Sequence, residues 1–148
     1  MKRTPHILIR VIAICLIIVL IFPVSVSAAE DAPVLPCASY YLDAYNTYIC
    51  DLGNGQIQIW FEVAGTGYMD KIGVLSIELY EVNSNGSLTW VKTFLHENYS
   101  SMLITDDNYH CSYVSYLGSS SKTYKAYVCI WAGKNGNGDT RYMWAKEL

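Results

Sequence analysis

Two histidines, His96 and His110, are the first candidates for chemistry in the chain beyond residue 29. Acyl transfer would require one of them to activate a nucleophilic Ser or Cys at a strained turn, and no G-x-S-x-G motif is present. The pair His96-Glu97 lacks the second histidine of a zinc-protease helix. His110 follows Asp106 and Asp107, where a histidine at the edge of a solvated acidic turn is the simpler interpretation. The sequence therefore favours a protein that is not an enzyme.

Aromatic side chains offer a second kind of chemistry, the binding of ligands on a flat surface. Residues 30–148 contain thirteen Tyr, four Trp and two Phe. Strand alternation places Trp60, Tyr127 and Trp131 opposite the aliphatic residues of their own segments. Outward rings on one sheet could stack on the C–H faces of sugars, and exposed apolar patches usually mark binding. The same rings would also fit a structural role or a dimer face, because Tyr and Trp form stabilising cross-strand pairs.

An Asn/Asp/Gly segment close to the C-terminus carries oxygen side chains at every second position. Asn135, Asn137 and Asp139 alternate with Gly136 and Gly138. Calcium loops use this spacing, but the bidentate acid that closes such a loop is missing. Gly-Asn alternation is also typical of hairpin turns. We therefore expect these side chains to form the rim of a binding surface, with no metal and no cofactor.

The candidate residues lie in segments rich in Tyr, Val, Ile, Thr and Trp, which Gly, Asn, Ser and Asp separate. The clearest alternation runs from Ile57 to Val63. Turns are expected at Gly53-Asn54-Gly55 and at the hairpin dipeptide Asn85-Gly86, and Gly65-Thr66-Gly67 separates the second predicted strand from the third. The segment 133–139 is expected to link the last two strands. Seven strands are predicted, over residues 40–50, 57–63, 72–82, 88–95, 109–117, 124–131 and 140–145.

Seven strands in about a hundred residues predict an all-β fold, a single antiparallel β-sandwich of the immunoglobulin or fibronectin type III kind, with a small barrel as the alternative. Tyr124 occupies the position of a corner tyrosine, whose hydroxyl bonds to the backbone of the turn before the penultimate strand. Tyr127 is the alternative corner residue, and with it the inward and outward residues of this strand would exchange places. With Tyr124 at the corner, the inward residues are Ala126, Val128 and Ile130, and the outward ones are Lys125, Tyr127, Cys129 and Trp131.

The N-terminal residues 1–29 have the pattern of a secretory signal peptide. Three basic residues precede the apolar run Val11–Phe22, which Pro23 ends, and small residues follow. An uncleaved anchor is the alternative, although this run is too short to cross about 30 Å of hydrocarbon. Residues 30–38 are expected to be a flexible entry segment, because two prolines prevent strand pairing there. Residues 39–148 are the predicted sandwich domain.

The charge of residues 30–148 excludes several classes of partner. Seven Lys and Arg residues face thirteen Asp and Glu residues, a net charge of 7 − 13 = −6. Nucleic acids and anionic lipids require clustered basic residues, so neither is an expected partner. Localisation outside the cell and no stable membrane insertion after cleavage follow from the leader.

Four cysteines remain beyond the leader: Cys37, Cys50, Cys111 and Cys129. An even number in an exported chain suggests two disulfides, for which three connectivities exist. Cys111 and Cys129 could lie on neighbouring strands and form one disulfide. Cys37 would then join the entry segment to Cys50 through the second. Zinc is disfavoured, since no two cysteines have C-x₂₋₄-C spacing.

The run Gly65-Thr66-Gly67-Tyr68-Met69-Asp70-Lys71-Ile72-Gly73 and the closing run Tyr124-Lys125-Ala126-Tyr127-Val128 carry a resemblance. So do residues 79–81, 90–94, 131–133 and 138–142. The sequence resembles a family of small secreted proteins of Gram-positive gut bacteria that is classed as a domain of unknown function. The resemblance covers most of residues 38–145. It implies secretion and a compact β domain, supplies no catalytic residues, and makes free thiols an alternative to disulfides.

We therefore predict a secreted, non-enzymatic β-sandwich that binds an extracellular glycan or protein. Trp60, Tyr127 and Trp131 are the expected binding residues, with the segment 135–139 as a rim. A small secreted antagonist resembling β-sandwich bacteriocins is the alternative, although membrane-directed toxins are commonly basic. A hydrolase comes third, and it would require a pocket joining His110, a nearby carboxylate and a nucleophile.

Overall fold

A computed structural model describes residues 39–148 of the protein. The predicted signal peptide over 1–29, the entry segment over 30–38 and Cys37 lie outside the described residues. No helix in residues 39–148 is long and apolar enough to cross a membrane. A 3-10 turn covers Ser100–Met102, and the strands are β1 (Leu42–Asp51), β2 (Gln56–Met69), β3 (Lys71–Val82), β4 (Leu88–Leu95), β5 (Leu103–Ile104), β6 (Asp107–Leu117), β7 (Thr123–Lys134), β8 (Asn137–Trp144) and β9 (Lys146–Glu147).

The strands form two sheets, so the prediction of an all-β, sandwich-like fold is confirmed. The first sheet has the order β6-β2-β1-β9, and the second has the order β4-β3-β7-β8 with β5 beside β3. Neighbouring strands are antiparallel, except that β9 pairs with β1 in parallel. All seven predicted strands are present. The two-residue strands β5 and β9 were not expected, because segments this short carry no periodic signal.

The core is built largely from the aliphatic sets that alternation assigned to the inner faces, except that an irregularity between Val74 and Ser76 buries Val74 in place of the expected Leu75. On β2 the inward residues are fully or almost fully buried, while Gln58, Trp60 and Glu62 between them are half-buried. Burying one such large side chain is worth about 1.5–3 kcal/mol. The central inward residues are Ile57, Ile59, Phe61 and Val63 of β2, Ile77 and Leu79 of β3, and Ala126, Val128 and Ile130 of β7.

The corner tyrosine is Tyr124, as predicted. The backbone N–H of Ser119 donates to Tyr124 Oη over 3.0 Å, and the ring is 6% exposed. The ring also packs edge-on against Tyr116 at a centroid distance of 5.8 Å. This geometry sets the register of β7, with its aliphatic residues inward and Tyr127 outward.

The predicted break between strands at residues 65–67 is wrong. Strand β2 continues through these residues to Met69, and Asp70 alone separates it from β3 in the other sheet. The reason lies in the start of the described chain. Thr66 donates its backbone N–H to Tyr41 O over 3.0 Å and its hydroxyl to Tyr40 O over 2.7 Å. These two bonds hold the Gly-Thr-Gly segment extended.

The link between β7 and β8 is also shorter than predicted. Asn135 and Gly136 form a two-residue hairpin turn, with φ angles of 54° and 76°. Two consecutive positive φ angles are the mark of a type I′ turn, for which Asn-Gly is the preferred pair. The hairpin interpretation of the Gly-Asn alternation is therefore confirmed, and the longer connecting loop is wrong.

Candidate functional site

The outer surface of the second sheet is covered with aromatic rings, and we call it the aromatic face. The register explains why these rings meet. Tyr127 on β7 lies between Glu78 of β3 and Trp144 of β8, and Tyr80 of β3 pairs with Trp90 of β4. The aromatic face comprises Tyr80, Trp90, Tyr127, Trp131, Tyr142 and Trp144.

Four of these rings form a contiguous cluster. Tyr127 contacts Trp144 at a centroid distance of 4.9 Å and Tyr142 at 6.0 Å, and Tyr80 contacts Trp144 at 5.7 Å. All three distances lie within the range of favourable aromatic pairs. Tyr142 is 61% exposed and Trp144 is 45% exposed. The cluster therefore presents open ring surface to solvent.

Polar groups lie between the rings of the aromatic face. The Tyr80 hydroxyl donates to the Glu78 carboxylate, and this hydrogen bond raises the pKa of Tyr80. Burial raises the pKa of the Cys129 thiol, which lies on the outward side of β7 within hydrogen-bond reach of Tyr142 and Ser76. A surface of flat rings with interspersed hydroxyl and carboxylate groups suits a ligand that has both C–H faces and hydroxyls, such as a sugar.

Trp131 occupies one end of the aromatic face and lies over two glycines. A Cβ added to Gly133 would come within 2.7 Å of Trp131 Cζ2, and one added to Gly138 would overlap the same edge of the indole. These two residues pair across β7 and β8. Glycine is required there because the indole rests on the bare backbone.

The Trp131 indole borders two adjoining cavities. A cavity of 280 Å³ is lined by Asp70, Lys71, Trp131, Gly133, Lys134, Gly136 and Asn137. A second cavity of 220 Å³ is lined by Lys71, Leu75, His96, Leu103 and Trp131. Lys71 and Trp131 line both of them.

The three rim candidates have different surroundings. Asn137 lines the larger Trp131 cavity, as expected for a rim. Asn135 belongs to the hairpin turn, and its N–H donates to Asp70 Oδ2 over 2.6 Å. Asp139 accepts from Ser39 Oγ and from Tyr41 N over 2.9 Å, and the Ser39 bond is the main cause of its lowered pKa. Asp139 therefore fastens the start of the described chain and does not belong to the rim.

The prediction that Trp60 shares a surface with Tyr127 and Trp131 is wrong. Trp60 points outward as expected, but β2 belongs to the first sheet, so its ring lies on the opposite surface. There it packs against Tyr113 at 4.5 Å and donates to Gln58 Oε1 over 3.2 Å. Alternation alone could not separate the two outer surfaces.

The expected pairing of Cys111 with Cys129 is also wrong. Strands β6 and β7 lie in different sheets, Cys111 is exposed and Cys129 is buried. Neither these two nor Cys50 is bonded to another described cysteine. The pairing of Cys50 with Cys37 involves a residue outside the described range and stays a prediction.

His110 is buried, not solvated as expected. Its side chain is 9% exposed, its Nε2 lies 2.8 Å from Ser101 O, and its ring packs edge-on to Phe61 at 5.5 Å. The Asp107 carboxylate accepts from the backbone N–H of Asn108 over 2.7 Å. Within residues 39–148 no group of three or more metal-ligating side chains occurs.

Tyr80, Trp90, Tyr142 and Trp144 were missed as candidate residues. Their strands were predicted, so their alternation was available from sequence. The missing information was the pairing of β8 with β7 and of β4 with β3, which joins their outward residues into one surface.

The sequence matches no protein-family model and no curated protein. Among solved structures, the chain is similar to the sporulation control protein Spo0M from Bacillus subtilis, at 9% sequence identity and a TM-score of 0.40. The similarity covers 70% of this chain and 48% of Spo0M, so the chain spans about half the length of that protein. The resemblance to secreted proteins of gut bacteria stays a prediction.

Proposed function

We propose that this protein is a secreted, non-enzymatic module that binds a glycan at the cell exterior through its aromatic face. The observation that carries the proposal is the set of six outward rings on one sheet surface. Trp90, Tyr142 and Trp144 are each at least 45% exposed. Exposed contiguous aromatic surface is uncommon in soluble proteins without a binding role.

The finer fold assignment is a fibronectin type III-like domain. Strands β1, β2 and β6 form one sheet, and β3, β7 and β8 form the core of the other, with β4 beside β3. This arrangement matches the division into A, B, E and C, F, G strands of the immunoglobulin-like sandwiches. The Tyr124–Ser119 bond matches the tyrosine corner of the same folds.

Secretion is supported by the leader sequence. Its basic start, apolar run and terminal small residues are the three parts of a signal peptide. A module outside the cell is exposed to the polysaccharides of cell walls and of the growth environment. A ligand with stacked pyranose rings suits a flat, aromatic and hydroxyl-rich surface.

The test is a titration of the protein with cell-wall and dietary polysaccharides, followed by tryptophan fluorescence. We expect binding to shift the emission, and Trp144→Ala to raise the Kd by about tenfold or more, as for aromatic residues at binding hot spots. Trp60→Ala is the matched control, because this tryptophan lies on the opposite surface and should leave the Kd unchanged.

Two results would overturn the proposal. One is unchanged emission with every polysaccharide. The other is normal binding by Trp144→Ala together with a large loss of folding stability, which would make the aromatic face a structural feature.

A further inference from the structure

The Trp131 end of the aromatic face differs in charge from the rest of the protein. Residues 30–148 have a net charge of 7 − 13 = −6. Two of their seven basic residues, Lys71 and Lys134, nevertheless line the same 280 Å³ cavity as the indole. Both lysines are exposed, and neither forms an ion pair within residues 39–148. Their ammonium groups are therefore available to an anion.

The acidic side chain of this cavity is already engaged. Asp70 Oδ2 accepts the backbone N–H of Asn135 over 2.6 Å, so this carboxylate supports the hairpin turn. Asn137 adds an amide to the same wall. The cavity thus combines a flat apolar ring, an amide and two lysines whose positive charges outnumber its one carboxylate.

From this combination we infer that the Trp131 cavity binds an acidic sugar, a pyranose that carries a carboxylate. This inference rests on the proposed function and names the ligand class for one end of the aromatic face. The C–H face of the sugar ring stacks on the Trp131 indole. Its carboxylate accepts charge-assisted hydrogen bonds from Lys71 and Lys134, and its hydroxyls bond to the Asn137 amide.

The size and connection of the cavities favour a short stretch of polysaccharide. A volume of 280 Å³ lies just below the range of about 300–1,000 Å³ that is usual for drug-sized ligands. The adjoining 220 Å³ cavity shares Lys71 and Trp131, and it adds His96. A second sugar unit occupies this neighbouring space, so oligomers bind more tightly than the monomer.

The experiment uses three polymers to distinguish recognition of the sugar ring from recognition of the carboxylate. Polygalacturonate has both a pyranose and a carboxylate, dextran has the pyranose alone, and polyglutamate has the carboxylate alone. We expect the protein to bind polygalacturonate at least about tenfold more tightly than either of the others, since hydrogen bonds to charged groups are the stronger ones. The difference should shrink as NaCl is raised, because exposed charges are screened over about 10 Å at 0.1 M salt.

Three variants locate the site. Lys71→Gln and Lys134→Gln should each raise the Kd for polygalacturonate about tenfold, and Trp131→Phe should reduce the emission shift caused by the ligand to the part that comes from the other tryptophans of the aromatic face. Lys146→Gln is the matched control, because Lys146 lies near the ring of Tyr48 on the opposite surface and also carries one positive charge. Thermal unfolding of each variant confirms that it is folded.

The outcomes distinguish this inference from the proposed function. Equal binding of dextran and polygalacturonate, unaffected by the lysine variants, would refute the acidic ligand and leave glycan binding intact. Equal binding of polyglutamate would show that a carboxylate polymer of any kind is accepted and would refute the sugar. Binding of none of the polysaccharides would refute both.

Discussion

The corner tyrosine allows one hydrogen bond to be removed with little other change. Tyr124→Phe keeps the ring and its edge-on contact with Tyr116, and it deletes the hydroxyl that accepts from Ser119 N. The Ser119 N–H then loses its partner in a part-buried corner. Loss of a net hydrogen bond of this kind costs about 1–1.5 kcal/mol. With an unfolding entropy of about 2.1 cal/mol/K per residue, the expected fall in Tm is about 4–6 °C.

The assay is urea unfolding followed by tryptophan fluorescence, with Tyr127→Phe as the control. Tyr127 lies on the same strand but faces outward, where its ring stacks on Tyr142. Its hydroxyl is not hydrogen-bonded within the described chain, so the substitution should change the free energy of unfolding by less than about 0.5 kcal/mol. The reasoning is refuted if the two variants have the same free energy of unfolding, or if Tyr127→Phe has the lower one.

Three further outcomes are expected. Gly138→Ala should displace the Trp131 indole and shift its emission to longer wavelength in the absence of ligand; an unchanged spectrum would contradict the close packing of the indole on the glycine. Because folding lowers the pKa of Asp139, its contribution to the free energy of unfolding should be complete above pH about 4 and be lost as the pH falls through the pKa of the folded protein. Urea unfolding at several pH values measures this loss of stability, which should be absent in Asp139→Asn. Iodoacetamide at pH 8 should alkylate exposed Cys111 well before Cys129, whose pKa is raised by burial, and equal rates measured by mass spectrometry would contradict the structure.

Local sequence patterns predicted a large part of the fold. The alternation of Ile57 to Val63 identified the inner face of β2, and the position of Tyr124 gave the register of β7. These features depend on neighbours within a few residues, because a strand repeats every two residues and a corner tyrosine bonds to its own turn. The extended form of residues 65–67 was missed for the opposite reason, since it depends on bonds to Tyr40 and Tyr41.

The candidate site was predicted in kind but not in composition. Trp60 and Trp131 were both expected to point away from the core, and both do. Alternation along a strand predicts that a side chain points away from the core. A fold with two sheets has two outer surfaces, and alternation does not say on which of them the side chain lies. The same ambiguity produced the wrong pairing of Cys111 with Cys129, whose strands proved to lie in different sheets.

The amino-acid sequence by itself determined the all-β class, the strand segments, the residues that fill the core and the acidic charge of the chain. The tertiary structure alone decided which outward rings share a surface and which lysines lie beside Trp131. The physical reason is the range of the interactions. Side-chain alternation is set along one strand, whereas the aromatic face is created by backbone pairing between segments as distant as Glu78, Tyr127 and Trp144.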